Sequence, residues 1–255
     1  MEILEHFNKT DVNGIIVYKL KDIEWNDFVN KLPNDYRLCY ISDKKLDRNS
    51  LKLGISKQEF LENYVLPTIP TIKSGDFGEL LCFHAVTEIF KDKGLSLTGP
   101  LKWRWKDKEK AAQYADAILF HIADLSKPTK DDELVTIESK MKAVKSNKHR
   151  IQDAIDGAMD DKLSRMAKTL NWLEEKYAKK GKVKDVELAK RFKDPVLYGT
   201  YNKTHKAIAI MDNTFETQEL GKVINNPENV VVIVFSMKDL KKIYEETHTN
   251  IIKSV

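Results

Sequence analysis

Cysteine is nearly absent: Cys39 and Cys82 are the only two, far apart and each in or beside an apolar stretch. Their spacing excludes a zinc or redox pair and points to buried thiols in a reducing cytosol. Residues 1–14 carry acids, His6 and asparagines, where a secretory leader would be basic and then apolar. Long hydrophobic runs are missing too. The longest, Val230 to Phe235, is far short of the roughly 20 residues a membrane-spanning helix needs, so a soluble, cytoplasmic protein is expected. No G-x-x-x-x-G-K-[ST] loop occurs, which excludes a phosphate-cradling motor loop in this chain. Repeats and low-complexity tracts are absent as well.

What is present is a globular composition, with 42% hydrophobic and 32% charged residues in 255. Gly14–Leu20 reads as a strand, and Trp25, Phe28, Val29 and Leu32 recur at helical spacing before Pro33. Arg37–Ile41 is a second strand candidate, and Ser56-Lys-Gln-Glu59 opens a helix as a capping box. Pro67 and Pro70 suggest a boundary, giving an N-terminal α/β lobe over 1–70 and a main domain over 71–255. In the main domain, a helix is expected over 74–91, with strands at 101–105, 115–122 and 134–141. A long amphipathic helix follows over 146–177, with the stripe Ile151, Ile155, Ala158, Leu163, Met166, Leu170, Leu173 and Tyr177. Residues 179–194 read as a charged connector, 206–211 and 230–235 as strands, and Ser236 as the start of a terminal helix.

Three acidic positions disturb these patterns. Glu79 shares a helical face with Phe83, Val86 and Phe90, whereas Glu88 falls opposite and reads as an ordinary solvated acid. A carboxylate in an apolar stripe is costly unless paired, coordinated or able to reach solvent from the helix start. Asp116 is a poor strand former at the head of an otherwise apolar strand, or simply marks where that strand begins. On Leu134–Met141, strict alternation puts Val135, Ile137, Ser139 and Met141 on one face and Thr136, Glu138 and Lys140 on the other. Glu138 and Lys140 thus project side by side, as a surface ion pair on an edge strand also would.

A helix acid, an Asp on a strand and E-x-K on the next strand together match phosphodiester hydrolysis. That reaction needs hard oxygen ligands for Mg²⁺ or Mn²⁺, a positioned water and neutralisation of developing charge. Basic residues lie nearby. Lys140, Lys142, Lys145, Lys148 and Arg150 stand against the single acid Glu138, a local excess equal to the whole chain's net +4. Lys102-Trp-Arg-Trp-Lys-Asp-Lys108 interleaves cations with Trp103 and Trp105. Such runs contact phosphates and stack bases, or form a solvated face over packed tryptophans.

Ser74-Gly-Asp-Phe-Gly-Glu79, Tyr114-Ala-Asp116 and Ile137-Glu-Ser-Lys140 together resemble the core of the PD-(D/E)XK nuclease superfamily. More narrowly, they resemble the HamA family, nuclease subunits of Hachiman anti-phage defence systems. The resemblance implies an α/β, restriction-endonuclease-like core with a mixed central sheet flanked by helices, and Mg²⁺-dependent cleavage of DNA. It also implies a superfamily 2 helicase partner (HamB-like) that restrains and activates the nuclease. By the same resemblance, Glu79, Asp116 and Glu138 are metal ligands, Lys140 is the catalytic lysine, and Gln152 corresponds to a glutamine at the next helix. Lys142, Lys145, Lys148, Arg150 and Gln152 are the candidate DNA contacts. Ala115 replaces the proline that names the superfamily. A restriction or repair nuclease, and a non-catalytic adaptor that loads a helicase, are the competing readings. The N-terminal lobe and the residues after Asp194 carry no chemical motif and are expected to dock the partner.

Overall fold

The computed structural model describes residues 2–111, 114–194, 196, 199–225 and 227–255. One six-stranded sheet organises them, in the spatial order β1-β2-β6-β5-β4-β3. The strands are β1 (Phe7–Val12), β2 (Ile15–Leu20), β3 (Ala117–His121), β4 (Glu133–Lys142), β5 (Asn202–Asp212) and β6 (Val230–Met237). The inner strands β2, β6, β5 and β4 run parallel, and the edge strands β1 and β3 are antiparallel to their neighbours. This is the mixed, helix-flanked α/β sheet expected from sequence. The parallel strands read as near-continuous apolar runs because both their faces are covered.

On one face, α1 (Trp25–Tyr40), α4 (Pro70–Lys91) and α9 (Leu240–Lys253) bury Phe28, Leu32, Leu80, Leu81 and Ile243 against Val135, Ile137, Ile208, Ile210, Ile233 and Phe235. Short α2 (Asp43–Leu53) and α3 (Lys57–Phe60) lie between α1 and α4 in the chain. The other face is covered by α5 (Arg150–Asp160), α6 (Met166–Lys179) and α7 (Val183–Lys193). Ala154 and Ala158 of α5 meet Ala207 and Ala209 of β5, and these small residues let helix and sheet approach closely. The short helix α8 (Glu216–Leu220) is a single turn before β6.

Several expectations are corrected. Arg37–Ile41 is not a strand: α1 runs through Pro33 to Tyr40, burying Phe28, Leu32, Tyr36, Cys39 and Tyr40 along one side. A short apolar run cannot by itself separate strand from helix, and here the register of the preceding turns decides. Residues 101–105 form one 3₁₀ turn, Lys102–Arg104. The supposed connector 179–194 contains α7, anchored by buried Ala189 and Phe192. β1 was not anticipated. Glu88 is not solvated, since it is 9% exposed and accepts the backbone N–H groups of Ile3 at 2.7 Å and Leu4 at 3.2 Å. Ser56 does cap α3, its hydroxyl accepting the Glu59 N–H at 3.0 Å. Both cysteines are buried and unpaired.

The boundary at residue 70 is a connection, not a gap in packing. β2 hydrogen-bonds along β6, and the core cluster containing Ile3, Phe7 and Phe28 continues into Leu81 and Phe235. Residues 1–70 and 71–255 therefore share one sheet and one core. Pro70 itself occupies the first turn of α4, where its missing N–H costs nothing.

The expected helix over 146–177 starts at Arg150 and is interrupted. Between α5 and α6, residues Asp161–Arg165 form one wide turn in which Met166 N–H bonds to Asp161 O, five residues back. The extra residue shifts the stripe, so Leu163 is 76% exposed while Asp161 is fully buried. Wide turns of this kind are rare and cluster at functional sites.

Candidate active site

β3 begins at Ala117, paired with Ile137. Beyond that pair, residues 138–142 of β4 have β5 on one side and no strand on the other among the described residues. Asp116, the residue before β3, fills the opening: its Oδ2 accepts the Ser139 N–H at 2.8 Å and the Ser139 hydroxyl at 3.0 Å. A side-chain carboxylate thus replaces the ladder carbonyl where the strands part.

Glu138 points to the α5 side and is 3% exposed. Its Oε1 takes a hydrogen bond from Lys140 Nζ, and its Oε2 takes one from Arg165 Nη2. Arg165 also donates to Gly157 O at 2.7 Å and pairs with Asp161. Burial pushes the Glu138 carboxyl up to about 7; the Asp116 charge adds to the shift, and Lys140 and Arg165 oppose it. Asp161 is pushed up to about 6, again chiefly by burial, against the pull of Arg165 and with Asp116 adding. Its Oδ2 is buried without a hydrogen-bond partner.

Glu79 forms a second cluster beside this one. The carboxylate is 9% exposed, accepts from Trp103 Nε1 at 3.0 Å and lies 3.2 Å from Lys102 Nζ. Burial raises it to about 7, opposed by Lys102 and reinforced by Asp116 and Asp76. Lys102 Nζ also donates to Ala115 O at 3.1 Å, tying this cluster to the turn before Asp116. One turn earlier on α4, Asp76 is held by Tyr40 O–H at 2.8 Å and by Lys106.

The structure thus joins Glu138 and Lys140 directly and holds Asp116 on Ser139 between them, with Glu79 linked to Ala115 through Lys102. Sequence reasoning missed Arg165 and Asp161, whose i,i+4 spacing looks like any surface helical pair, and Asp76, which lies inside the quoted motif. The basic run separates into two kinds of residue. Lys145 and Lys148 are exposed. Lys142 is buried against Glu219 at 2.7 Å and Lys148 O at 2.9 Å, and Arg150 is half-buried beside Asp153 at 3.2 Å. Gln152 donates to Asp156 at 2.8 Å and accepts the Ile224 N–H at 3.1 Å, which holds it on the loop before β6.

Asp116 just before β3 and Glu138 on β4 offer hard oxygen donors, and the Asp116 charge raises the cost of ionising Glu138, a repulsion that a divalent cation offsets. The donor chemistry fits Mg²⁺ or Mn²⁺. Among the described residues, no three His, Cys, Asp or Glu side chains already converge as a ready-made set; the cations of Lys140 and Arg165 occupy the Glu138 oxygens. No helix among those residues is long and apolar enough to cross a membrane.

The family model described as HamA matches residues 2–251. No curated protein matches the chain significantly.

Proposed function

Because the chain belongs to the HamA family, we propose that it is the metal-dependent deoxyribonuclease of an anti-phage defence system, built on a PD-(D/E)XK site and working with a superfamily 2 helicase. One observation carries this reading. Asp116 is clamped on Ser139 where β3 and β4 part, directly beside the Glu138–Lys140 pair. Asp116 and Glu138 would hold the metal, with Glu79 assisting from α4. A bound divalent ion supplies Lewis-acid stabilisation of a phosphoryl oxygen and a more acidic water. Lys140, half-exposed next to Glu138, orients a water and balances charge developing on the phosphate. Arg165 and Gly157 fix the Glu138 carboxylate from the helix side. The sequence holds no nucleotide-binding loop, so in this reading strand separation falls to the helicase partner.

The test is a plasmid-nicking time course with Mg²⁺ and with EDTA, on wild type, Glu138→Ala and Lys140→Ala. Wild type should nick only with metal, and each variant should fall about 10²–10⁴-fold while remaining folded. Undiminished nicking by Glu138→Ala overturns the assignment. The adaptor reading draws on the cations that occupy both Glu138 oxygens; wild type inert in either metal but binding DNA and helicase would favour it.

A further inference from the structure

A second group of side chains, three of them aromatic, lies beside the Lys102 that holds Glu79. Trp172 packs at a tilt against both Trp105 and Tyr114, with ring centres 5.8 Å apart at 53° for Trp105 and 5.7 Å apart at 42° for Tyr114. Both tryptophans and the tyrosine are half-buried rather than sealed in the core. The two tryptophans, with Tyr114 packed behind Trp172, border an open cleft of about 210 Å³ whose wall includes Lys102, Lys106, Lys110 and Lys176, with Asp107 as its one acid. Lys180 Nζ lies 4.5 Å from the Trp105 ring centre, and Lys176 Nζ lies 5.8 Å from that of Trp172. Such cations sit within reach of anything stacked on the rings.

Tyr114 connects this cleft to the acids. Its φ of 69° is in the left-handed region, an uncommon and costly conformation for a bulky side chain and one that concentrates at functional sites. Two residues on is Asp116. The peptide between them is held at both ends, Ala115 N–H on Thr169 Oγ1 at 3.3 Å and Ala115 O on Lys102 Nζ. Trp103, by contrast, is 3% exposed and packs on Phe83 with its N–H on Glu79. The two tryptophans of the basic run therefore have different roles.

Flat aromatic faces with a surrounding excess of lysines suit a ligand that is planar and anionic by turns. We infer that the Trp105–Trp172–Tyr114 cleft binds an unpaired stretch of nucleic acid, stacking its bases and contacting its phosphates through Lys110, Lys176 and Lys180, so that the strand is led past Tyr114 to Asp116. The inference rests on the reading of the Asp116–Glu138 site as one that acts on nucleic acid, and it names the substrate form: a single-stranded segment rather than intact duplex.

Binding of the full chain to labelled oligo(dT), to oligo(rU) and to a duplex of equal length, all in EDTA, tests it by anisotropy and tryptophan quenching. Oligo(dT) should bind more tightly than duplex and quench tryptophan emission. Trp172→Leu should weaken oligo(dT) binding about ten-fold or more, as loss of a stacked base does, and leave duplex binding within about two-fold. The exposed-side variant Lys176→Gln/Lys180→Gln keeps the rings and should lower the salt slope on oligo(dT) by about 1.4, at about 0.7 per phosphate contact on single strands. An equal loss on oligo(rU) supports the site and extends it to RNA. Unchanged oligo(dT) affinity in both variants, or an equal loss on duplex, overturns the inference. Because EDTA prevents cleavage, a failed nuclease reading is separately visible as the same binding losses with no nicking by wild type in Mg²⁺.

Discussion

Gly157 on α5 lies directly against Glu138 on β4: a Cβ at position 157 would sit 2.6 Å from Cγ, Cδ and Oε1 of the glutamate. Any larger residue at position 157 would displace the carboxylate. Glycine inside a helix costs roughly 0.5–1 kcal/mol relative to alanine, so this position trades helix stability for the placement of an acid. Gly157→Ala should therefore stay folded, with stability within about 1 kcal/mol of wild type. Nicking should drop about 10²-fold, as small misplacements of reacting groups do. Urea unfolding and the plasmid assay read the two effects separately; full activity in this variant would show that nicking does not depend on where Glu138 sits.

The basic run predicts two different phenotypes. Lys142 and Glu219 are 3% and 1% exposed at their side chains, and removing one member of a buried pair costs about 3–5 kcal/mol. Lys142→Ala should accordingly lower the denaturation midpoint. The exposed Lys145 and Lys148 should instead govern duplex affinity, each neutralisation flattening log affinity against log salt by about 0.9. A stable Lys142→Ala protein, or an unchanged slope in Lys145→Gln/Lys148→Gln, would contradict this division.

Arg191 on α7 grips Asp132 with two bonds of 2.7 Å and also donates to Asp124 O at 2.9 Å and Lys127 O at 2.8 Å. Asp132 in turn accepts the Ala123 N–H at 3.1 Å. One guanidinium thus ties α7 to the loop between β3 and β4. Arg191→Leu should destabilise the fold by about 3–5 kcal/mol, measured by urea titration. A cost below about 1 kcal/mol would mean that the loop is held by other contacts.

Lys206 on β5 is 3% exposed, with Nζ 5.4 Å from the Phe90 ring centre. Burial, aided by the charge of Lys93 and opposed by Glu133, lowers it to about 8. The unfolded chain then holds this proton more tightly than the folded one, so stability rises as pH climbs from about 8 towards about 10.4. Below pH 8 the penalty is present in full. Lys206→Met should be more stable than wild type at pH 7 by on the order of 1–3 kcal/mol, a gap that closes by pH 10. Parallel unfolding curves across that range would refute it.

Local pattern made much of the geometry legible. The alternation of β4 placed Glu138 and Lys140 on one face and Ile137 on the other, and the Ser56 cap and the apolar stripe of α4 also read directly from neighbours in sequence. What stayed hidden depended on distant partners. Lys142 looks like any surface lysine until Glu219, 77 residues away, is folded against it. Asp161 and Arg165 looked like an ordinary helical ion pair because nothing local announces the wide turn that carries them inward. Arg37–Ile41 failed for another reason: five apolar-leaning residues satisfy both strand and helix patterns, and only packing of Tyr36 and Tyr40 beside Phe77 and Asp76 selects one.

The wide turn at Asp161–Arg165 also makes the site sensitive to chain length at one point. Each residue of a regular helix advances the side chains by about 100°. That turn holds one residue more than a regular helix would, so deleting a single residue there restores an ordinary turn and keeps Leu170 and Leu173 on the sheet, while Asp161 and Arg165 lose the turn that carries them to Glu138. A deletion within α6 itself has no such slack and rotates the residues beyond it by about 100°. One-residue changes should therefore be tolerated at the exposed 144–149 loop, cost the site its Arg165 contact at 161–165, and cost the fold its packing within α6.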